Sequence, residues 1–254
     1  MARATAVHTP AIAALRLITI PISHYCEKAR WVLELARLPY GEERHLQAIH
    51  SIYTRRAGGG TTAPVLVTPG GVLAESADIV RWADAQAQLG LYPDGEAGAL
   101  EADFDAELGP HARRWMYHRI LGHPDLIRAY GVAGVPRWES AALPAALPIV
   151  SRIIIRYLDI DDATAAESRD RVRTAFDDVA ARLADGRRYL TGDRFTAADL
   201  AFAALSAAVI VPTRYGIRLP PVEELPEPFA DEVRAMREHP AGRFALRLFD
   251  QERP

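Results

Sequence analysis

The sequence predicts an α/β domain followed by an all-helical one. Three observations carry this. Short runs of branched residues that read as strands occur only before about residue 95; stretches with apolar residues at helical spacing alternate with them; after that point no strand pattern appears and the rest reads as helices. The boundaries that follow are a loose lead-in over 1–14, the α/β unit over 15–90, a linker over 91–97 and the helical unit over 98–254.

"LRLITI", residues 15–20, is short, branched and stopped by Pro21, as a buried strand should be. In "EKARWVLELARL" Ala29, Val32, Leu33 and Ala36 recur at helical spacing and give a stripe that can pack on a sheet. "YGEERHLQ" alternates as a second strand, and "AIHSIYTRRAGGG" is irregular and glycine-rich, reading as a mobile loop with a helix as the alternative. "PVLVTPGGVLAE" is a hairpin turning at Pro69, Gly70 and Gly71, and "SADIVRWADAQAQL" returns to helical spacing. "LYPDGEAGAL" has the turn residues of a linker. Beyond it, "SRDRVRTAFDDVAARLADG" sets Val172, Phe176, Val179 and Leu183 on one face and ends near Gly186. "AADLAFAALSAAVIV" is apolar all round and ends at Pro212, which predicts a central buried helix. Thr196 and Asp199, spaced as a capping box and flanked by Phe195 and Leu200, fix its start.

Composition excludes more than it selects. With 49% hydrophobic and 25% charged residues and a formal net charge of -3, the chain carries no global basic excess for nucleic acid; the pairs Arg55–Arg56 and Arg113–Arg114 read as solvated surface. One cysteine, Cys26, closes no intrachain disulfide, so a reducing, cytoplasmic setting is expected. The start of the chain is too broken by His8, Thr9 and Pro10 for a signal peptide. "ALPAALPIVSRIIIRYL", interrupted by Pro144, Pro148, Arg152 and Arg156, falls short of the roughly 20 apolar residues of a membrane span and reads as a buried or partner-facing helix. No Ser/His/Asp triad, phosphate loop or zinc spacing is present in the sequence.

Chemistry concentrates at three places in the first domain. "PISHYC" carries a strand into a helix and offers an anion the first backbone N–H groups and the positive end of the helix dipole. Ser23 stands at that helix start, where it can cap and also donate to a bound anion; Cys26 lies a turn deeper, where the dipole has faded and free cysteine usually packs as a small hydrophobe. In "TTAPVLV", Pro64 opens a strand at a position compatible with a cis bond, which would turn the backbone of Ala63 outward to pair with a peptide. Glu75 and Ser76 begin the next helix, with Ser76 placed to cap and nearby N–H groups able to hold a carboxylate.

Together and in this order, "PISHYCEKARWVLEL", "TTAPVLV", "ESADIVRWAD" and "GDRFTAADLAFAAL" resemble the cytosolic glutathione S-transferases across nearly the whole chain. The resemblance implies a thioredoxin-like first domain and an all-helical second one, with glutathione as co-substrate and no metal. It places Ser23 where serine-type members keep the hydroxyl that hydrogen-bonds the glutathione sulfur. "SHYC" is similar to a glutaredoxin-like Cys-Pro-Tyr-Cys whose attacking cysteine has become serine while Cys26 keeps the resolving place. Ala63, beside Pro64, would pair with the cysteinyl backbone, and Glu75 and Ser76 would hold the γ-glutamyl end. Asp78 departs from the small apolar residue usual there and could attract the ligand's amino group. The usual Asn-Pro is missing from "YTRRAGGG", leaving Arg55 or Arg56 for the glycyl carboxylate. The second-substrate pocket would draw on His24, Tyr25, His111, Trp115 and His118, the last three on one helical face. The proline-rich span from Gly134 to Ile160 exceeds a minimal member's length, as a pocket cover or an assembly surface would.

The expected activity is thus conjugation of the glutathione thiolate to a small hydrophobic electrophile, a detoxification reaction, by a cytoplasmic homodimer with no nucleic-acid or membrane partner. Two alternatives stand beside it: a glutathione-dependent thiol/disulfide reductase using Cys26, and a non-catalytic glutathione-binding or protein-interaction module, since fold does not fix function.

Overall fold

A computed structural model describes residues 15–254; the lead-in expected over 1–14 lies outside the described residues. Strands β1 (Leu15–Thr19), β2 (Tyr40–Arg44), β3 (Val65–Thr68) and β4 (Gly71–Leu73) form one sheet in the order β2-β1-β3-β4. The parallel pairing of β1 with β2 requires a crossover, supplied by α1 (His24–Leu35). β3 runs antiparallel to β1, with Val65 opposite Ile18, and β4 runs antiparallel to β3. β4 therefore points the same way as β1. The end of β1, the start of β3 and the end of β4 share one sheet edge, from which the chain enters α1 and, after β4, α3 (Ser76–Ala87). Leu17 and Leu66 of the central strands are buried in one cluster with residues of α1 and α3, and Ile18 and Val65, on the other face, are buried as well, as unbroken apolar runs require.

Of the loop or helix expected over 48–60, the structure forms the helix, α2 (His50–Arg56). Its returning glycines are pinned by contacts that sequence patterning cannot show. Thr54 Oγ1 donates to the Gly60 carbonyl at 2.8 Å, His50 Nε2 lies 3.0 Å from the Thr61 carbonyl, and a Cβ at Gly59 would fall 2.5 Å from a Val65 methyl.

After β4 the described residues hold no further strand, only an isolated bridge between Tyr189 and Gly192. α4 (Gly95–Asp103) passes through a π-turn segment, Phe104–Leu108, into α5 (Gly109–Ile120). Then come α6 (Pro124–Tyr130), α7 (Arg137–Leu158), α8 (Asp162–Leu183), α9 (Ala197–Ile210), α10 (Phe229–Glu238) and α11 (Pro240–Gln251). α9 is the central helix, buried along nearly its whole length and packed on α1, α4, α5, α10 and α11. Its capping box is formed: the Thr196 N–H donates to Asp199 Oδ2 at 2.8 Å, and the other Asp199 oxygen accepts the Leu190 N–H at 2.8 Å. Phe195 stacks near Trp31 of α1, tying this start to the sheet domain.

α7 corrects the reading that prolines shorten the apolar span. It runs unbroken through Pro144 and Pro148, both on the exposed face, where water can satisfy the carbonyls that lose a donor. By length and composition alone it could reach across a bilayer. Its inner residues are instead committed to the protein. Glu139, fully buried, accepts from the Leu46 N–H at 2.8 Å and lies 2.6 Å from His45 Nδ1, while Leu143 and Leu147 pack on Leu46. His45 in turn stacks on Tyr53 of α2.

Replacing Asp199 by alanine leaves two buried backbone donors without acceptors, so Asp199→Ala should lower unfolding stability by about 2–4 kcal/mol. Thermal and denaturant unfolding of the two proteins measure it; a change below about 0.5 kcal/mol would refute the assigned capping role.

Candidate functional site

The turn Ile20–Ile22 delivers Ser23 to the amino end of α1. Ser23 N–H donates to the Ile20 carbonyl at 3.1 Å, the residue takes the extended conformation of an N-cap (φ -68°, ψ 124°), and its Oγ accepts the Cys26 N–H at 3.3 Å. Tyr215 steadies the turn from the helical side by donating its hydroxyl to the Ile22 carbonyl at 3.0 Å. Ser23 uses its oxygen as acceptor, its O–H can rotate between the Cys26 sulfur and a ligand, and the residue is partly exposed at the sheet edge.

Cys26 has the opposite environment. It is wholly buried; its Sγ lies 3.4 Å from the Ile20 N–H, and burial pushes the thiol up, against the pull of Arg30 and of the hydrogen bonds from Ser23 and Ile20. A thiol without solvent access and with a raised pKa is a poor nucleophile.

The other two motifs of the first domain reach the same sheet edge. The Ala63–Pro64 bond is cis, and Ala63 lies two residues ahead of the first β3 rung, Ile18 opposite Val65. At the start of α3 the cap is Glu75, with no side-chain capping bond, and Ser76 is the first helical residue; the capping role expected of Ser76 is displaced by one position. The first N–H groups of α3 are thus free of a side-chain cap. Burial, then Asp78 and Asp105, raise the Glu75 carboxyl above the ordinary range, although Glu75 and Asp78 both reach solvent. Arg55 and Arg56 are exposed on the last turn of α2.

An apolar cavity opens beside Ser23. Ile20 and Ile22 form its floor at the α1 turn, Met116, Tyr117 and Ile120 of α5 one wall, and Leu143 and Leu147 of α7 its roof. None of the five residues expected in the second-substrate pocket lines it. His24 is buried, with its ring 4.7 Å from that of Tyr25 and its pKa pushed down to about 3 by burial and then by Arg113. Tyr25 donates to the Asp105 carbonyl at 2.9 Å. His111 lies 3.1 Å from Ser168 Oγ, Trp115 donates to Glu232 Oε2 at 3.0 Å, and His118 Nε2 is 2.9 Å from Asp162 Oδ1, so this stripe faces α8 and α10. Successive helical residues are rotated by about 100°, so a one-residue change of stripe selects another face. The apolar trio Met116, Tyr117 and Ile120 was the available signal for the cavity wall. Among the described residues no group of three His, Cys, Asp or Glu side chains is arranged to hold a metal ion.

Comparison with known proteins agrees with this two-domain fold. Residues 17–90 match the glutathione S-transferase N-terminal domain and residues 162–226 the glutathione S-transferase C-terminal domain. No curated protein matches the sequence significantly. Among solved structures, glutathione transferase GSTFuA3 from Phanerochaete chrysosporium is similar at 17% identity and a TM-score of 0.64, covering 95% of this chain and 98% of its own. A glutathione S-transferase of Ceriporiopsis subvermispora in complex with glutathione matches at 18% identity, TM-score 0.60, with the same two coverages. FzlA from C. crescentus matches at 19% identity and TM-score 0.57, over 94% of this chain and 99% of its own.

The burial of Cys26 predicts that the native protein is alkylated by iodoacetamide at neutral pH at least about tenfold more slowly than the unfolded chain, as timed mass spectrometry would record. Equal rates would place the thiol at the surface and reopen its role.

Proposed function

The chain belongs to the glutathione S-transferase family, and from that premise we propose that it binds glutathione along the shared sheet edge and conjugates the tripeptide's thiolate to a small hydrophobic electrophile held in the adjoining cavity. One observation carries the reading: a partly exposed serine hydroxyl able to turn its O–H toward a ligand stands at the amino end of α1, next to a largely apolar cavity, while the chain's only cysteine is sealed inside.

Each part of the tripeptide then has a complementary feature. The sulfur sits against the Ser23 hydroxyl and the first turn of α1, where donors and the helix dipole favour its ionised form; each unit by which they lower the thiol pKa is worth about 1.4 kcal/mol. The Ala63 backbone, ahead of the β3 ladder, pairs with the cysteinyl amide. The uncapped N–H groups of α3, with Ser76, hold the γ-glutamyl carboxylate, and Glu75 and Asp78 attract its amino group. Arg55 or Arg56 serves the glycyl carboxylate. The electrophile is bound in the cavity walled by Met116, Tyr117 and Ile120, in place of the His111 stripe. Homodimeric assembly and a cytoplasmic location belong to the same proposal and rest on family likeness and the single cysteine.

A reductase working through Cys26 would need its sulfur to reach a disulfide, and the buried thiol opposes this. Ser23→Ala should retain glutathione binding within about fivefold by calorimetry but lower kcat/KM for aryl-halide conjugation by about 10–1,000-fold, with Cys26→Ala near wild type. Activity that disappears only in Cys26→Ala, or glutathione that gives no binding heat, would overturn the reading.

A further inference from the structure

Arg113 stands out among the arginines. Each other arginine of the described residues that is not exposed has a hydrogen-bond or ion-pair acceptor; Arg30 has Glu42, Arg114 the Leu158 carbonyl, Arg119 Glu232 and Arg253 Glu27, and Arg44, Arg169, Arg182, Arg187, Arg237 and Arg247 are likewise engaged. Arg113, half-buried on α5, has none, and its Nε is fully shielded from solvent. A guanidinium with five donors and no acceptor, partly removed from water, is costly unless a ligand supplies the anion.

Its position says which ligand. Arg113 precedes Tyr117 by one helical turn and shares its face of α5, so it lies beside the cavity wall. The Arg113 Cζ is 5.8 Å from the centroid of the Tyr25 ring, which itself sits 4.7 Å from the ring of His24, the residue after Ser23. His24 Nε2 is a second buried polar atom without a partner in the same place. The nearby carboxylate Asp105 has its Oδ2 engaged by Lys28 at 2.6 Å and makes no ion pair with Arg113, although its Oδ1 is also buried without a partner. A cation without an acceptor thus adjoins both the sulfur-binding end of α1 and the wall of a largely apolar cavity, whose Glu139 carboxylate is already held by His45 and the Leu46 N–H.

We propose that Arg113 anchors an anionic group on the second substrate, so that the preferred electrophiles are apolar acids, with the hydrophobic body in the cavity and the carboxylate on Arg113. This rests on the glutathione reading above and names the substrate class for that site. In the reaction with a chloronitrobenzoate, the thiolate sulfur bonds the ring carbon, chloride leaves with its electron pair, and the carboxylate stays unchanged on Arg113.

The test compares a chloronitrobenzoate with its methyl ester under saturating glutathione, for the full chain and for Arg113→Gln and Arg113→Lys. Arg113→Gln should raise KM for the acid about tenfold or more while leaving the ester and glutathione within about twofold; Arg113→Lys should recover part of the loss, because a point charge replaces the bidentate fork. Calorimetry with unreactive nitrobenzoate, without glutathione, should show the same roughly tenfold weakening in Arg113→Gln. Equal losses for acid and ester would reveal a merely structural residue. A raised KM for glutathione would assign Arg113 to the tripeptide. Nitrobenzoate that binds both proteins equally would also overturn the proposal. If neither chloro compound is turned over, the conjugation reading has failed, and the dependence of nitrobenzoate binding on Arg113 still decides this one.

Discussion

The structure depends on how α1 is held. This helix is enclosed on nearly every side, and Glu27, Lys28 and Arg30, charged residues within two turns, are all buried. Ions removed from water are tolerated only when paired, and removing one partner typically costs about 3–5 kcal/mol. The partners come from distant parts of the chain. Lys28 Nζ meets Glu101 Oε1 of α4 at 2.8 Å and Asp105 at 2.6 Å. Arg30 meets Glu42 of β2 at 2.7 Å, while Glu27 accepts from Arg253 at 2.8 Å and from the Gly216 N–H at 3.0 Å. Burial disfavours the Glu42 carboxylate, yet the hydrogen bonds of Arg44, Thr19 and Arg30 and the charge of Arg30 hold its pKa below the usual range. Sheet, helical bundle and C-terminal residues thus converge on one helix, and specificity of pairing fixes where its amino end lies.

That fixation separates the roles of Ser23 and Cys26. Both lie within one turn of the helix start, yet the enclosing layers bury the inward-facing thiol and leave the cap at the edge. A dipole is useful to an anion only where the anion can approach, so the positive end of α1 favours a ligand at Ser23 and does little for a thiolate at Cys26, whose desolvation dominates.

Much of this was legible in the sequence because it depends on local signals. β1, the Pro69–Gly71 hairpin and the Thr196–Asp199 box each combine a periodicity with a nearby stop or cap. What was hidden depends on contacts far apart in the chain. α2 could not be told from a loop because its glycines are secured through Thr54, His50 and Val65. Arg113 looked like solvated surface because its neighbour Arg114 has the same composition signal, and only the fold gives Arg114 two acceptors and Arg113 none. Similarly, nothing local distinguishes the His111 stripe, spent on α8 and α10, from the Met116 stripe that faces the cavity.

α7 shows how a long apolar helix can be divided between two faces. Glu139 fastens its first turn to the end of β2 through Leu46 and His45, and Leu143 and Leu147 then fall over the cavity at successive turns. Pro144 and Pro148 occur four apart at exposed positions, where loss of a backbone donor is least harmful, and Trp138, Ile149, Ile153 and Tyr157 remain exposed. The roof is therefore secured by buried polar bonds at one end and by apolar packing along its length. A cavity so lined distinguishes ligands mainly by shape and apolar area, because hydrophobic attraction is non-directional. Polar discrimination has to arise at its boundary, where Ser23 and the amino end of α1 meet the α5 face, and there a difference of one charge between ligands carries more selectivity than a difference of one methylene.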